Sequence, residues 1–171
     1  SIAFDVMAPM AEVFVWENGT HIDNLQNCDS WTEEQVGDSV ERYSWLTLGA
    51  CADEEEADAY GAIWYIKRAD DHPLEMWSWC SISDDSTQPF SVDYVSLWGG
   101  TDCPQPQPGL WYDIAVLTTD QAGNRLTWQQ FLNHGAGTTG EEKWASLIEQ
   151  GYVKRFKAVD HSAPQADNLI T

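Results

Sequence analysis

"LWYDIAVLTT", residues 110–119, decides the fold. Apolar and β-branched side chains fall on both faces of this stretch, so as a strand it is buried on two sides. A single carboxylate, Asp113, interrupts it. A strand covered on both faces needs neighbours in its sheet and a layer above and below, and the rest of the chain is read as supplying them.

Strand-like runs precede it: "EVFVWE" (12–17), "RYSWLTL" (42–48), "AIWYIK" (62–67), "EMWSWCSI" (75–82) and "SVDYVSLW" (91–98). "IAFDVM" (2–7) adds a possible edge strand, and "YVKRFKAV" (152–159) returns as a late one. "RADDHP" (68–73) and "SDDSTQP" (83–89) hold turn residues. "WGGTDCPQPQPG" (98–109) cannot be a central strand, because each proline removes a ladder donor. It reads as an extended, polyproline-like loop held by Cys103.

Helices follow the deciding strand. Thr127 and Gln130 form a T-x-x-Q box ahead of Trp128, Phe131 and Leu132. "NHGAGTTG" (133–140) ends that helix. Thr139 and Glu142 open a second, with Trp144, Leu147 and Ile148 on one stripe and Gly151 as its stop. Ser30 and Glu33 suggest one more short helix near Trp31. The fold class expected is α+β, a predominantly antiparallel sheet or sandwich of about seven strands with two C-terminal helices packed on it. Residues 1–160 read as one globular domain and 161–171 as a flexible tail.

Charge bounds the partners. The 171 residues carry 8 Lys+Arg against 28 Asp+Glu, a net charge of −20. Such a surface repels phosphate backbones and anionic membranes, which excludes nucleic-acid and membrane binding, and favours a monomer. Cys28, Cys51, Cys80 and Cys103 form no C-x-x-C pair, so structural zinc is disfavoured and disulfides are expected. Three pairings are open. Sequential pairing closes two equal loops, each worth about 3 kcal/mol in the chain-entropy model. An N-x-T sequon at Asn18 and an even cysteine count fit a secreted, extracellular glycoprotein. No leader or membrane-spanning run is legible, and a start at Ser1 fits a processed mature form.

No motif dictates a chemistry. The serine-hydrolase elbow, the P-loop, the dinucleotide glycine pattern and H-E-x-x-H are all missing. A calcium loop counted from Asp120 fails, since Ala122, Arg125 and Phe131 stand where ligands and glycine belong; a tight Asp-x-Ala-Gly-Asn turn explains the same residues. His21 and Asp23 form an H-x-D pair that would need His72, His134 or His161 to complete an iron site. Asp53, Glu54, Glu55 and Glu56 read as the cap and first turn of a short helix, and alternatively as a calcium site; no other cofactor is expected.

Three functional readings remain. Asp93 and Asp113 interrupt apolar strands and Glu75 precedes Met76-Trp77, so these three are candidate acids for a small glycan-directed hydrolase. The 10 tryptophans are too many for deep burial in a domain this size, which nominates Trp77, Trp79, Trp98 and Trp111 as a recognition surface. The favoured reading is a secreted, disulfide-stapled binding or effector-like protein that contacts a carbohydrate or a basic protein surface. A cation-stabilised surface or structural protein is the third.

Overall fold

The computed structural model describes residues 8–17, 28, 31–52, 59–71, 79–98 and 102–161. Asn18, His21, Asp23, Asp53, Glu54, Glu55, Glu56, His72, Glu75 and Trp77 lie outside them, as do the expected edge strand 2–7 and the tail beyond His161.

The strands are β1 (Ala11–Glu17), β2 (Ser39–Glu41), β3 (Trp45–Ala52), β4 (Gly61–Arg68), β5 (Cys80–Asp85), β6 (Phe90–Ser96), β7 (Trp111–Thr119) and β8 (Val153–Val159). Two helices, α1 (Trp128–Asn133) and α2 (Gly140–Glu149), lie between β7 and β8. A small sheet runs β1-β3-β6 and a larger one β2-β8-β7-β4-β5. Every pairing is antiparallel except β2 with β8. The fold is thus α+β and rich in sheet, with β7 at the centre of the larger sheet.

Period-two alternation explains the layers. Ile114 and Val116 of β7, Trp64 and Ile66 of β4 and Phe156 of β8 point towards the small sheet, where Val13, Val15, Leu46, Leu48 and Ala50 meet them. Ala115 and Leu117, on the opposite face of β7, are covered by Trp128, Phe131 and Leu132 of α1 and Trp144 and Leu147 of α2. Both faces of the strand are therefore buried, which is what its unbroken apolar pattern requires.

The helix signals act as expected. The Thr127 side chain accepts from the Gln130 N–H at 3.0 Å, and the Gln130 side chain accepts from the Thr127 N–H at 2.8 Å. Thr139 accepts from the Glu142 N–H at 3.1 Å. The Glu142 carboxylate reaches one residue further back, to the Thr138 N–H at 3.0 Å, so the second box is closed differently. The turn at Asp120 forms as well: its carboxylate accepts from the Asn124 N–H at 2.8 Å and the Asn124 amide at 3.0 Å. Gly135, in the bend between the helices, lies against the backbone of Lys143, and a Cβ there would collide with the Lys143 carbonyl.

Two local expectations are corrected. Residues 31–36 form no helix; Val36 donates its N–H to the Val15 carbonyl at 2.9 Å, and Val15 donates to the Gln35 side chain at 3.0 Å. The edge of β1 thus takes up the backbone groups a helix would have used. Arg42 and Tyr43 are not strand but turn, closed by the Ser44 N–H on the Glu41 carbonyl at 3.1 Å.

Of the three possible disulfide pairings, the sequential one is present: Cys28–Cys51 and Cys80–Cys103, each spanning 23 residues. Cys103 fixes the proline-rich loop to the start of β5. The same loop is held from inside by the Trp98 indole N–H, which donates to the Pro106 carbonyl at 2.7 Å. Among the described residues no helix is long and apolar enough to cross a membrane.

Candidate functional site

Two places gather chemistry-bearing residues, one on each side of the fold. The first is buried. Asp113 stands directly opposite Lys67 of β4 and Arg155 of β8 in the ladder, so three charges share the helix-facing side of the large sheet. The Asp113 carboxylate accepts from Arg155 Nε at 2.7 Å and Nη2 at 3.0 Å, from Lys67 Nζ at 3.2 Å and from the Trp144 indole at 2.9 Å. Three of those donors converge on Oδ2 and one on Oδ1.

Two cations around one anion leave a positive excess. Lys67 disperses it by donating to the Arg68 and Asp71 carbonyls at 2.9 and 3.0 Å. Its ammonium also lies 5.5 Å from the Trp79 ring centre and 5.3 Å from that of Trp144, within cation–π range. Burial pushes the Lys67 ammonium below its usual range, while Asp113 pulls it back up. The hydrogen bonds with Asp113 raise Arg155 further, against its own burial.

An open cleft of about 300 Å³ lies beside this cluster, lined by Asp70, Asp71, Glu141, Trp144 and Arg155 among others. Asp70 is already paired with Arg68, at 3.1 and 2.8 Å. The perturbed carboxylates elsewhere, Glu142 and Asp120, are both shifted downward. In Glu142 the Thr138 N–H is the main cause. In Asp120 burial works the other way but is outweighed by hydrogen bonds from Asn124, Ala122 and Gly123. A general acid needs the reverse shift. Asp113 acts as the tie between three strands and α2, its carboxylate held by four donors from its own neighbours.

The second place is exposed, on the outer face of the small sheet. Leu46 and Leu48 of β3 point into the sandwich, so Trp45 and Thr47 lie on its other face, Trp45 exposed and Thr47 buried. Opposite them β6 carries a bulge, a register shift between Leu46 and Leu48. Val92 and Val95 both pack towards the core, leaving Asp93 and Tyr94 together outside. Thr47 Oγ1 donates to Asp93 Oδ1 at 2.8 Å and orients the carboxylate. Tyr43, Trp45 and Tyr94 are 59%, 54% and 72% exposed.

Backbone strain marks Tyr94 on this face and Tyr43 in the turn that leads into β3. Tyr43 and Tyr94 adopt positive φ, 65° and 59°, and they are the non-glycine residues that do so among those described. Such a conformation costs roughly 1–2 kcal/mol for a side chain with a Cβ. Both positions would be relaxed by glycine, and both instead carry an exposed tyrosine. Arg42 lies 4.7 Å from the Tyr43 ring centre and pairs with Asp160 at 3.3 Å, which steadies the turn.

The nominated tryptophans divide. Trp79 and Trp98 are buried, at 7% and 4%, contrary to the expected surface role. Trp79 stacks on Trp128 with ring centres 4.1 Å apart, and the Trp98 indole serves the proline loop. Trp111 is exposed at the start of β7, away from the small sheet. Of the nominated acids, Asp93 lies on the aromatic face and Asp113 in the buried cluster. His134 caps α1 and His161 pairs with Glu41 at 2.7 Å. No group of three or more His, Cys, Asp or Glu that could hold a metal occurs among the described residues. Tyr43, Trp45 and Tyr94 were missed by the sequence reading. Comparison with protein-family models, curated proteins and solved structures returns no match.

Proposed function

We propose that this protein is a secreted binding module that holds a carbohydrate on the outer face of its small sheet. The observation that carries the reading is the pair Trp45 and Tyr94, exposed on the face that holds Asp93, with Tyr43 exposed in the turn before β3 and both tyrosines held at a strained backbone. Sugar rings present apolar C–H faces and polar edges; exposed aromatic rings take the first and an oriented carboxylate takes hydroxyls of the second. Sulfur cross-links favour an oxidising compartment, and the acidic surface favours solubility there. Binding is favoured over hydrolysis because Asp113, the buried one of the two nominated acids among the described residues, already accepts four hydrogen bonds from its own neighbours.

The test is a glycan array probed with the intact protein and with Trp45→Ala. Retention of a defined glycan class by the first and its loss in the second, at unchanged melting temperature, supports the reading. An array blank for both, or binding that survives Trp45→Ala together with Tyr94→Gly, overturns it.

A further inference from the structure

The charge around the aromatic face narrows its ligand. We infer that the carbohydrate is a cationic amino-glycan, a chain of hexosamine units carrying free ammonium groups; this rests on the carbohydrate reading above. Three observations converge. The rings of Tyr43, Trp45 and Tyr94 are exposed, and aromatic faces attract cations through their quadrupole. Asp93 stands next to Tyr94 on the same face as Trp45, with Oδ1 held by Thr47 and, among the described residues, no partner on Oδ2. That oxygen is free to accept from an ammonium in a charge-assisted bond. The whole chain carries a net charge of −20, which draws a polycation in and drives uronate-bearing or sulfated chains away. A neutral glycan would use the rings but neither the carboxylate's charge nor the field.

Net charge alone would also attract any polycation, so the face must be separated from the field. Titration calorimetry with the full chain would compare glucosamine oligomers, the N-acetylated oligomers of equal length, and oligolysine of equal charge. The expected result is at least about tenfold tighter binding of the ammonium form over the acetylated form at low salt, shrinking as ionic strength rises. Asp93→Asn is expected to remove most of that preference, weakening the ammonium form far more than the acetylated one. Trp45→Ala is expected to weaken both sugars and leave oligolysine unaffected.

Equal affinity for the two sugars, a preference for the acetylated one, or a preference untouched by Asp93→Asn overturns the ammonium inference while leaving the carbohydrate reading in place. So does oligolysine binding as tightly as the amino-sugar with the same response to Trp45→Ala. Failure to bind either sugar overturns the ammonium inference, and a blank glycan array overturns the carbohydrate reading with it.

Discussion

Lys67 and Asp113 oppose each other across the β4–β7 ladder with Nζ 3.2 Å from Oδ2, and neither side chain is exposed to solvent. Removing one member of a buried ion cluster leaves the others uncompensated. Asp113→Ala would strand Lys67 and Arg155 together, and the expected loss is about 3–5 kcal/mol of unfolding free energy. Lys67→Met is expected to cost less, because Asp113 keeps Arg155 and Trp144. Guanidinium unfolding of the two variants reads the order, and equal losses would contradict it.

Lys67 also shapes the alkaline side of the stability curve. Its folded pKa is depressed below the ordinary 10.5, chiefly by burial. Between the two values the unfolded chain binds more protons, so stability contributed by this group rises with pH across that window. Lys154 is depressed by burial too and adds a slope of the same sign. Lys67→Met is expected to flatten the alkaline rise without abolishing it, as measured by unfolding free energy at stepped pH.

Gly49 faces two tryptophans on the outer side of β3. An added Cβ would lie 2.7 Å from the Trp16 ring and 2.9 Å from that of Trp31. Trp16 cannot swing aside freely, because its indole donates to the Glu33 carbonyl at 3.2 Å. Gly49→Ala is expected to cost about 1–3 kcal/mol through overpacking. A thermal melt within a degree of the parent would refute this.

The Cys80–Cys103 link closes a 23-residue separation. Replacing both cysteines with alanine is expected to cost about 3 kcal/mol, mainly by freeing the unfolded chain. Limited proteolysis should then cut first in the proline-rich loop, which keeps hydrogen bonds such as that from the Trp98 indole to Pro106, that from the Gln107 N–H to the Tyr112 hydroxyl and that from the Gly109 N–H to the Ala158 carbonyl, each at 2.7 Å.

The sequence made some of this legible and hid the rest for identifiable reasons. The two-sided burial of residues 111–119 follows from side-chain pattern alone, and the caps at Thr127 and Thr139 are local chemistry. Asp113 was conspicuous as a carboxylate inside an apolar strand. Its partners were not, because Lys67 and Arg155 reach it only through a strand order that brings β4 and β8 to either side of β7. The aromatic face was hidden twice over. "RYSWLTL" reads as unbroken strand, while the chain turns at Tyr43 in a conformation tyrosine seldom takes. At Asp93 and Tyr94 a bulge sets two successive residues on one face, which alternation forbids. Trp79 read as a surface residue because its cover, Trp128, is distant in sequence.

Gly135 touches none of these charges, yet it governs them. The helix it presses against carries Trp144, whose indole closes the fourth side of Asp113. One methyl group at that bend would act as a wedge, lifting α2 and letting the solvent hydrate an arrangement that depends on staying dry. The guard of this charged interior is thus its smallest residue, and its contribution is thinness.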